Sequence, residues 1–130
     1  SACPSQPAKT ASFHIAGATG SITNGSPGSY TFSVAMPENA TSTKSAFVEL
    51  TGVYETTASS ITIAVQHNSE PTKTYALPGT ASGTIRSYFK IVHRVAAVNY
   101  PASNTLTITP ASSTVFITSA KITVTYAYTP

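Results

Sequence analysis

Ile85-Arg86-Ser87-Tyr88-Phe89-Lys90-Ile91-Val92-His93-Arg94-Val95 sets Phe89, Ile91 and Val95 on one side of an extended chain. Arg86, Tyr88, Lys90, Val92 and Arg94 fall on the other side, because successive side chains of a strand point to opposite faces. The same period of two recurs outward from this segment in both directions. Ala46, Val48 and Leu50 alternate with polar neighbours in Ser45 to Tyr54, and Gly52 there suggests a bulge. Ile61, Ile63 and Val65 alternate with Thr62, Ala64 and Gln66, and Leu106 and Ile108 with Thr105, Thr107 and Thr109. Tyr30, Phe32 and Val34 form a further inward face that stops at Met36-Pro37, and Lys73 to Leu77 is a short strand closed by Pro78-Gly79. Val115 to Thr118 and Ala120 to Tyr128 read as two closing strands, and Phe13 to Ala16 as an opening one. Gly17 to Gly28 reads as loop, with Ile22 reaching toward the core.

No comparable period of 3.6 runs through the chain. Eight or nine strands without helical crossovers predict an all-β antiparallel two-sheet sandwich of jelly-roll or related Greek-key topology. Its expected core is Phe32, Val48, Leu50, Ile63, Val65, Phe89, Ile91, Leu106, Ile108, Ile122 and Val124. Residues 1–10 carry Pro4 and Pro7 and read as an extended arm ahead of a single domain over 11–130.

The 130 residues suffice for one domain with its own core. Apolar residues make up an ordinary 41%, whereas charged residues reach only 8%, against about a quarter in typical domains. Hydroxyls fill the gap, with 18 Ser and 22 Thr, and Asp is absent. Such a surface fits an extracellular or cell-surface β-protein. The net charge of +3 reflects few acids rather than many bases, and no Lys/Arg run suggests nucleic acid as a partner. The apolar stretches are of strand length, so no membrane span is expected. Cys3 stands alone and admits no internal disulfide.

Chemistry finds little to work with. His14, His67 and His93 lie on separate strands or strand ends without ligand spacing, and with four Glu and one Cys no metal or other cofactor is expected. No Gly-x-Ser-x-Gly elbow occurs. Glu70 lies three residues after His67, in an Asn-Ser-Glu-Pro stretch that reads as a solvated turn. Glu49 alternates with Phe47 and should face solvent or pair with a lysine. The expectation is that the chain is not an enzyme.

Binding has better candidates. Arg86, Tyr88, Lys90 and Arg94 share one face and could contact an anionic or sugar ligand, although a solvated outer face that resists aggregation accounts for them as well. Tyr54, Tyr88 and Tyr100, near strand ends or on the outer face, are candidate sugar platforms. Asn24-Gly25-Ser26 and Asn39-Ala40-Thr41 match the glycosylation acceptor pattern in predicted loops.

Ser45-Ala46-Phe47-Val48-Glu49-Leu50-Thr51-Gly52-Val53 and Ser119-Ala120-Lys121-Ile122-Thr123-Val124-Thr125-Tyr126 resemble strands of jelly-roll modules in large, Ser/Thr-rich bacterial surface proteins. The overall plan also resembles that of filament subunits assembled by donor-strand exchange. The resemblance implies an extracellular structural or adhesive role, with self-association or neighbouring domains of a surface assembly as partners. The segment carrying Phe13 and Ile15 is then the expected subunit-contact strand. The alternative expectation is a carbohydrate-binding module of a secreted protein, with glycans as partners.

Overall fold

The computed structural model describes residues 7–55, 60–78 and 86–130. Their strands are β1 (Ala8–His14), β2 (Gly20–Ile22), β3 (Gly28–Phe32), β4 (Ala40–Glu55), β5 (Ser60–His67), β6 (Lys73–Pro78), β7 (Arg86–Val95), β8 (Asn104–Ala111) and β9 (Val115–Tyr128). One sheet runs β1-β9-β4-β7, with β2 also paired to β9, and the other runs β3-β8-β5-β6. Every pairing is antiparallel. Only β1/β2 and β5/β6 are consecutive strands within one sheet; all other connections cross between sheets, which is the jelly-roll order. No helix among the described residues is long and apolar enough to cross a membrane.

Alternation builds this architecture strand by strand. All eleven residues expected in the core are buried between the sheets. Each such large aliphatic or aromatic side chain contributes about 1.5–3 kcal/mol by leaving water. Ile15, Ala18 and Ile22 close one end of the core from the β1–β2 region, where a short 3-10 turn at Ala16–Ala18 breaks the edge strand in two.

Three departures from the sequence reading have local causes. First, the opening strand starts at Ala8 rather than Phe13, so the expected arm overlaps the sheet: Ala8, Lys9 and Thr10 pair with Ala127, Tyr126 and Thr125. Pro7 precedes the strand and so removes none of its ladder bonds. Cys3 and the rest of 1–6 lie outside the described residues, as do Gly79 and Ile85. Second, the two closing strands are one. At Thr51/Gly52 the register with β9 jumps from Ser119 to Ile117, so the expected bulge is present with its extra residue, Thr118, on the opposite strand. Val115 and Ile117 face inward before the bulge, and Ala120, Ile122 and Val124 after it. Third, Pro110 sits inside β8, a central strand. It lies beyond Ile108, which pairs with Gly28, the first residue of β3, so no β3 residue stands opposite it on that side and its missing N–H removes no ladder bond there. Its carbonyl accepts from Gly25 N at 2.8 Å.

Candidate functional site

The solvent face of the larger sheet is assembled in rows by the strand registers. Tyr88 stands opposite Val53, Val53 opposite Phe116, and Phe116 opposite Ser21. Adjacent strands lie about 4.8 Å apart, so Tyr88 and Phe116 bracket Val53 at roughly 10 Å from backbone to backbone. Tyr88 is 82% exposed and Phe116 49%. A wet face needs no aromatic side chains, and here two stand in one row.

Beside this row opens a groove of about 510 Å³. Phe116 and Val53 form one side, Arg86 and Glu55 stand at its β4–β7 side, and Ser21, Asn24, Ser112, Ser113 and Thr114 supply hydroxyl and amide groups. Its polar wall is tied down. Asn24 Oδ1 accepts from the Ser112 amide at 2.8 Å, and the Asn24 amide donates to Thr114 Oγ1 at 3.0 Å. Ser112 adopts φ 73°, a left-handed conformation that the turn into β9 requires. Ser113 Oγ donates to the Glu55 carbonyl at 3.1 Å.

Arg86, Tyr88, Lys90 and Arg94 all emerge exposed along β7, as the alternation requires. In the next rows Glu49 takes Lys90 Nζ and Lys121 Nζ, each at 3.2 Å. Hydrogen bonds from Lys90 and Lys121 hold its carboxyl below the ordinary glutamate value. Phe47 and Val92, 36% and 52% exposed, complete the apolar positions of this face away from the groove.

The tyrosine candidates separate. Tyr54 is a correction: it is buried, packs against Phe89 with ring centroids 6.1 Å apart, and donates its hydroxyl to the Pro78 carbonyl at 2.8 Å. Its position in β4 is one residue out of phase with Val53, which faces solvent. Tyr100 is exposed but lies in the segment after β7, where its hydroxyl donates to the Met36 carbonyl at 3.4 Å, away from the Tyr88 row. Phe13 pairs with Ile122 of its own chain and Ile15 is buried, so the segment expected to reach a neighbouring subunit is spent inside its own sheet. Asn24 and Asn39 are exposed, and both clamp local structure: Asn39 Nδ2 donates to the Thr129 carbonyl at 3.0 Å.

The His67–Glu70 turn is a second correction, because it is not merely solvated. His67 is fully buried, with Nδ1 2.6 Å from Glu70 Oε2 and Nε2 3.1 Å from Asn104 Oδ1. The Asn99 amide also donates to Asn104 Oδ1, at 2.9 Å, which fixes that atom as the acceptor. Nε2 therefore donates to it, and Nδ1 sits against the Glu70 carboxyl group. Burial pushes the Glu70 carboxyl up, but the Ala96 amide, His67 and the Ala97 amide outweigh it and leave Glu70 below its ordinary value. Asn68, at φ 51°, completes the lock by accepting from the Thr105 amide at 2.8 Å. Both ring nitrogens are engaged and the partners are an amide and a carboxyl, so this is a latch between the β5–β6 turn and the segment before β8. His93 is buried as well and pairs through Nδ1 with the Tyr75 hydroxyl at 2.8 Å; burial pushes its imidazole below the ordinary value. His14 is exposed on β1, and no cluster of three potential metal ligands occurs among the described residues.

No protein-family model matches the chain, and no curated protein matches it. Among solved structures, the dimeric latent PorU of Porphyromonas gingivalis aligns over 93% of this chain with a TM-score of 0.56 at 8% identity. The aligned part is 13% of the PorU chain, so the shared element is one module of a longer protein. An exo-β-1,3-galactanase of Phanerochaete chrysosporium, solved with galactose, aligns over 92% of this chain and 27% of its own, at a TM-score of 0.40 and 15% identity. A family 16 carbohydrate-binding module aligns over 78% of this chain and 73% of its own, at 0.34 and 12%. At these identities the PorU likeness speaks to the sandwich fold alone.

Proposed function

We propose that this chain is a glycan-binding β-sandwich module of a secreted or cell-surface protein, acting by recognition rather than catalysis. The observation that carries this reading is the Tyr88–Val53–Phe116 row beside the polar groove. Aromatic rings offer flat apolar area to the C–H faces of a sugar, and their two rotatable bonds make them cheap to order. The groove lies in the size range of small-ligand sites, and its amide and hydroxyl groups, tied down around Asn24 and Ser113, can meet sugar hydroxyls. Of the acid–base groups, Glu49 is committed to two lysines, and His67 and Glu70 to the latch.

Titration calorimetry against a panel of soluble polysaccharides tests this. A bound glycan should lose about tenfold in affinity on Tyr88→Ala and again on Phe116→Ala, as expected for removing an anchoring aromatic. Both residues are exposed, so the variants should keep the wild-type melting temperature. Failure to bind any member of the panel, or unchanged binding by both variants, would remove the proposal.

A second reading, a structural module of a surface assembly, is favoured by Phe47 and Val92 on the same face away from the groove. The outer edge of β1 also has no partner strand among the described residues. Sedimentation at high concentration checks it, and a strict monomer speaks against it.

A further inference from the structure

We infer that the glycan taken by this face is an acidic one, a polymer bearing carboxylate or sulfate groups, an inference that rests on the glycan-binding reading. The charges of the molecule are distributed unevenly. Of its seven Lys and Arg residues, four (Arg86, Lys90, Arg94 and Lys121) project from the outer face of this one sheet. The carboxylates interspersed there are Glu49 and Glu55. Glu49 is already bridged by Lys90 and Lys121, which leaves that trio with a positive balance. Glu55 stands opposite Arg86 in register, but no ion pair within 4.0 Å joins them, and none among the described residues involves Arg94.

The placement relative to the aromatic row is what turns charge into specificity. Arg86 and Lys90 flank Tyr88 at two residues on either side, about 7 Å away along the strand. A sugar ring stacked on Tyr88 therefore has a cation within reach of substituents at both of its ends. Arg86 also lines the groove, where its planar fork can take a carboxylate or sulfate through two parallel hydrogen bonds. A neutral glycan uses the ring and the hydroxyl wall but gains no charge pairing from these cations. An anionic one gains both. The hydroxyl-rich and acid-poor remainder of the surface adds little repulsion against such a polymer, and the four cations outnumber the two carboxylates on this face.

The experiment compares polygalacturonate with its fully methyl-esterified form, and dextran sulfate with dextran, by calorimetry at low and high salt. Tighter binding of at least one acidic polymer than of its neutral partner, by about tenfold or more, is expected. That difference should shrink as salt screens the cations. The carboxylate and sulfate arms identify which anion is preferred. Arg86→Gln combined with Lys90→Gln should abolish the preference, bringing the affinity for the acidic polymer down to that for its neutral partner, with the melting temperature in place. Tyr88→Ala should weaken binding of both forms. Equal binding of charged and neutral polymers overturns the inference and leaves the glycan-binding reading standing. Acidic-polymer binding that survives Tyr88→Ala unchanged reflects diffuse charge attraction and also overturns it. Absence of binding to all four polymers and to the wider panel overturns both.

Discussion

Replacing Gly52 by alanine should destabilise the protein by roughly 2 kcal/mol, and the reason is space rather than backbone conformation. A Cβ built on Gly52 would lie 2.3 Å from the Phe116 carbonyl oxygen and 2.7 Å from two atoms of the Phe89 ring. The first contact falls about 1 Å short of ordinary van der Waals distance, and it is with the backbone of β9, the strand at the centre of the sheet beside β4. A side chain can swing aside, but the carbonyl can retreat only if β4 and β9 separate where their register is already shifted by the bulge. Overpacking of this kind costs about 1–3 kcal/mol, and a backbone collision belongs at the upper end. Against this, alanine recovers about 0.5–1 kcal/mol of the entropy that glycine loses in a strand. The balance of roughly 2 kcal/mol corresponds to about 1 M in the urea midpoint. In a chain of this length it should lower the melting temperature by roughly 6–10 °C. Adding Phe89→Leu to Gly52→Ala should fail to restore the loss, because it relieves the ring contact and leaves the carbonyl. If Gly52→Ala alone unfolds at the wild-type urea midpoint, the close approach of β4 to the Phe116 backbone is wrong, and with it the bulge that positions Phe116.

Glu70→Gln should cost about 1–3 kcal/mol in urea unfolding, since it weakens the acceptors of the Ala96 and Ala97 amides and the partner of buried His67. Amide exchange at Ala96 should accelerate with it; unchanged exchange there would mean that the latch does not hold this segment. Acid should weaken the fold in a defined direction. Glu70 titrates below its ordinary range in the folded state, so its contribution is present above the unfolded value and lost as pH falls through the folded one. His93 is held below its ordinary value of 6.5 by burial, so the unfolded chain takes up its proton first and stability declines as pH drops below about that value. The urea midpoint should therefore fall progressively from near neutrality toward pH 4, and a midpoint that rises over this interval would contradict both placements.

How far the fold was legible follows from where alternation is unambiguous. β4, β5, β7 and β8 each interleave apolar with polar residues, so their inward faces, and with them eight of the eleven expected core residues, could be read directly. The edge was less legible. Ala8-Lys9-Thr10-Ala11 has no apolar stripe to bury because β1 is exposed over that part, and its strand character comes from pairing with β9 across 119 residues of sequence rather than from its own pattern. The His67–Glu70 latch was visible as a spacing of three but not as a buried device. Its other members, Asn104, Asn99 and the Ala96 amide, are contributed by segments that only the sandwich brings together. Short polar side chains carry no periodic signal, so a network of this kind has no local signature.

The candidate site divides along the same line. Tyr88 could be assigned to the solvent face because it stands between Arg86 and Lys90 at strand spacing, whereas Phe116 could not, because Val115-Phe116-Ile117 is apolar throughout and fits either phase. Carrying the inward positions Ala120, Ile122 and Val124 backward by twos would put Phe116 in the core and Val115 and Ile117 in water. The extra residue Thr118 reverses this. Thr118 and Ser119 follow one another at the bulge, Thr118 Oγ1 donates to the Thr51 carbonyl at 3.1 Å, and the phase of β9 changes across them. Val115 and Ile117 thereby join the core and Phe116 turns outward into the row with Val53 and Tyr88. Gly52 lies at the same step, and its missing side chain lets the Phe116 carbonyl come close. The aromatic row is thus a consequence of one bulge and one glycine, so a defect in this packing should reach the binding face as well as the stability of the sheet.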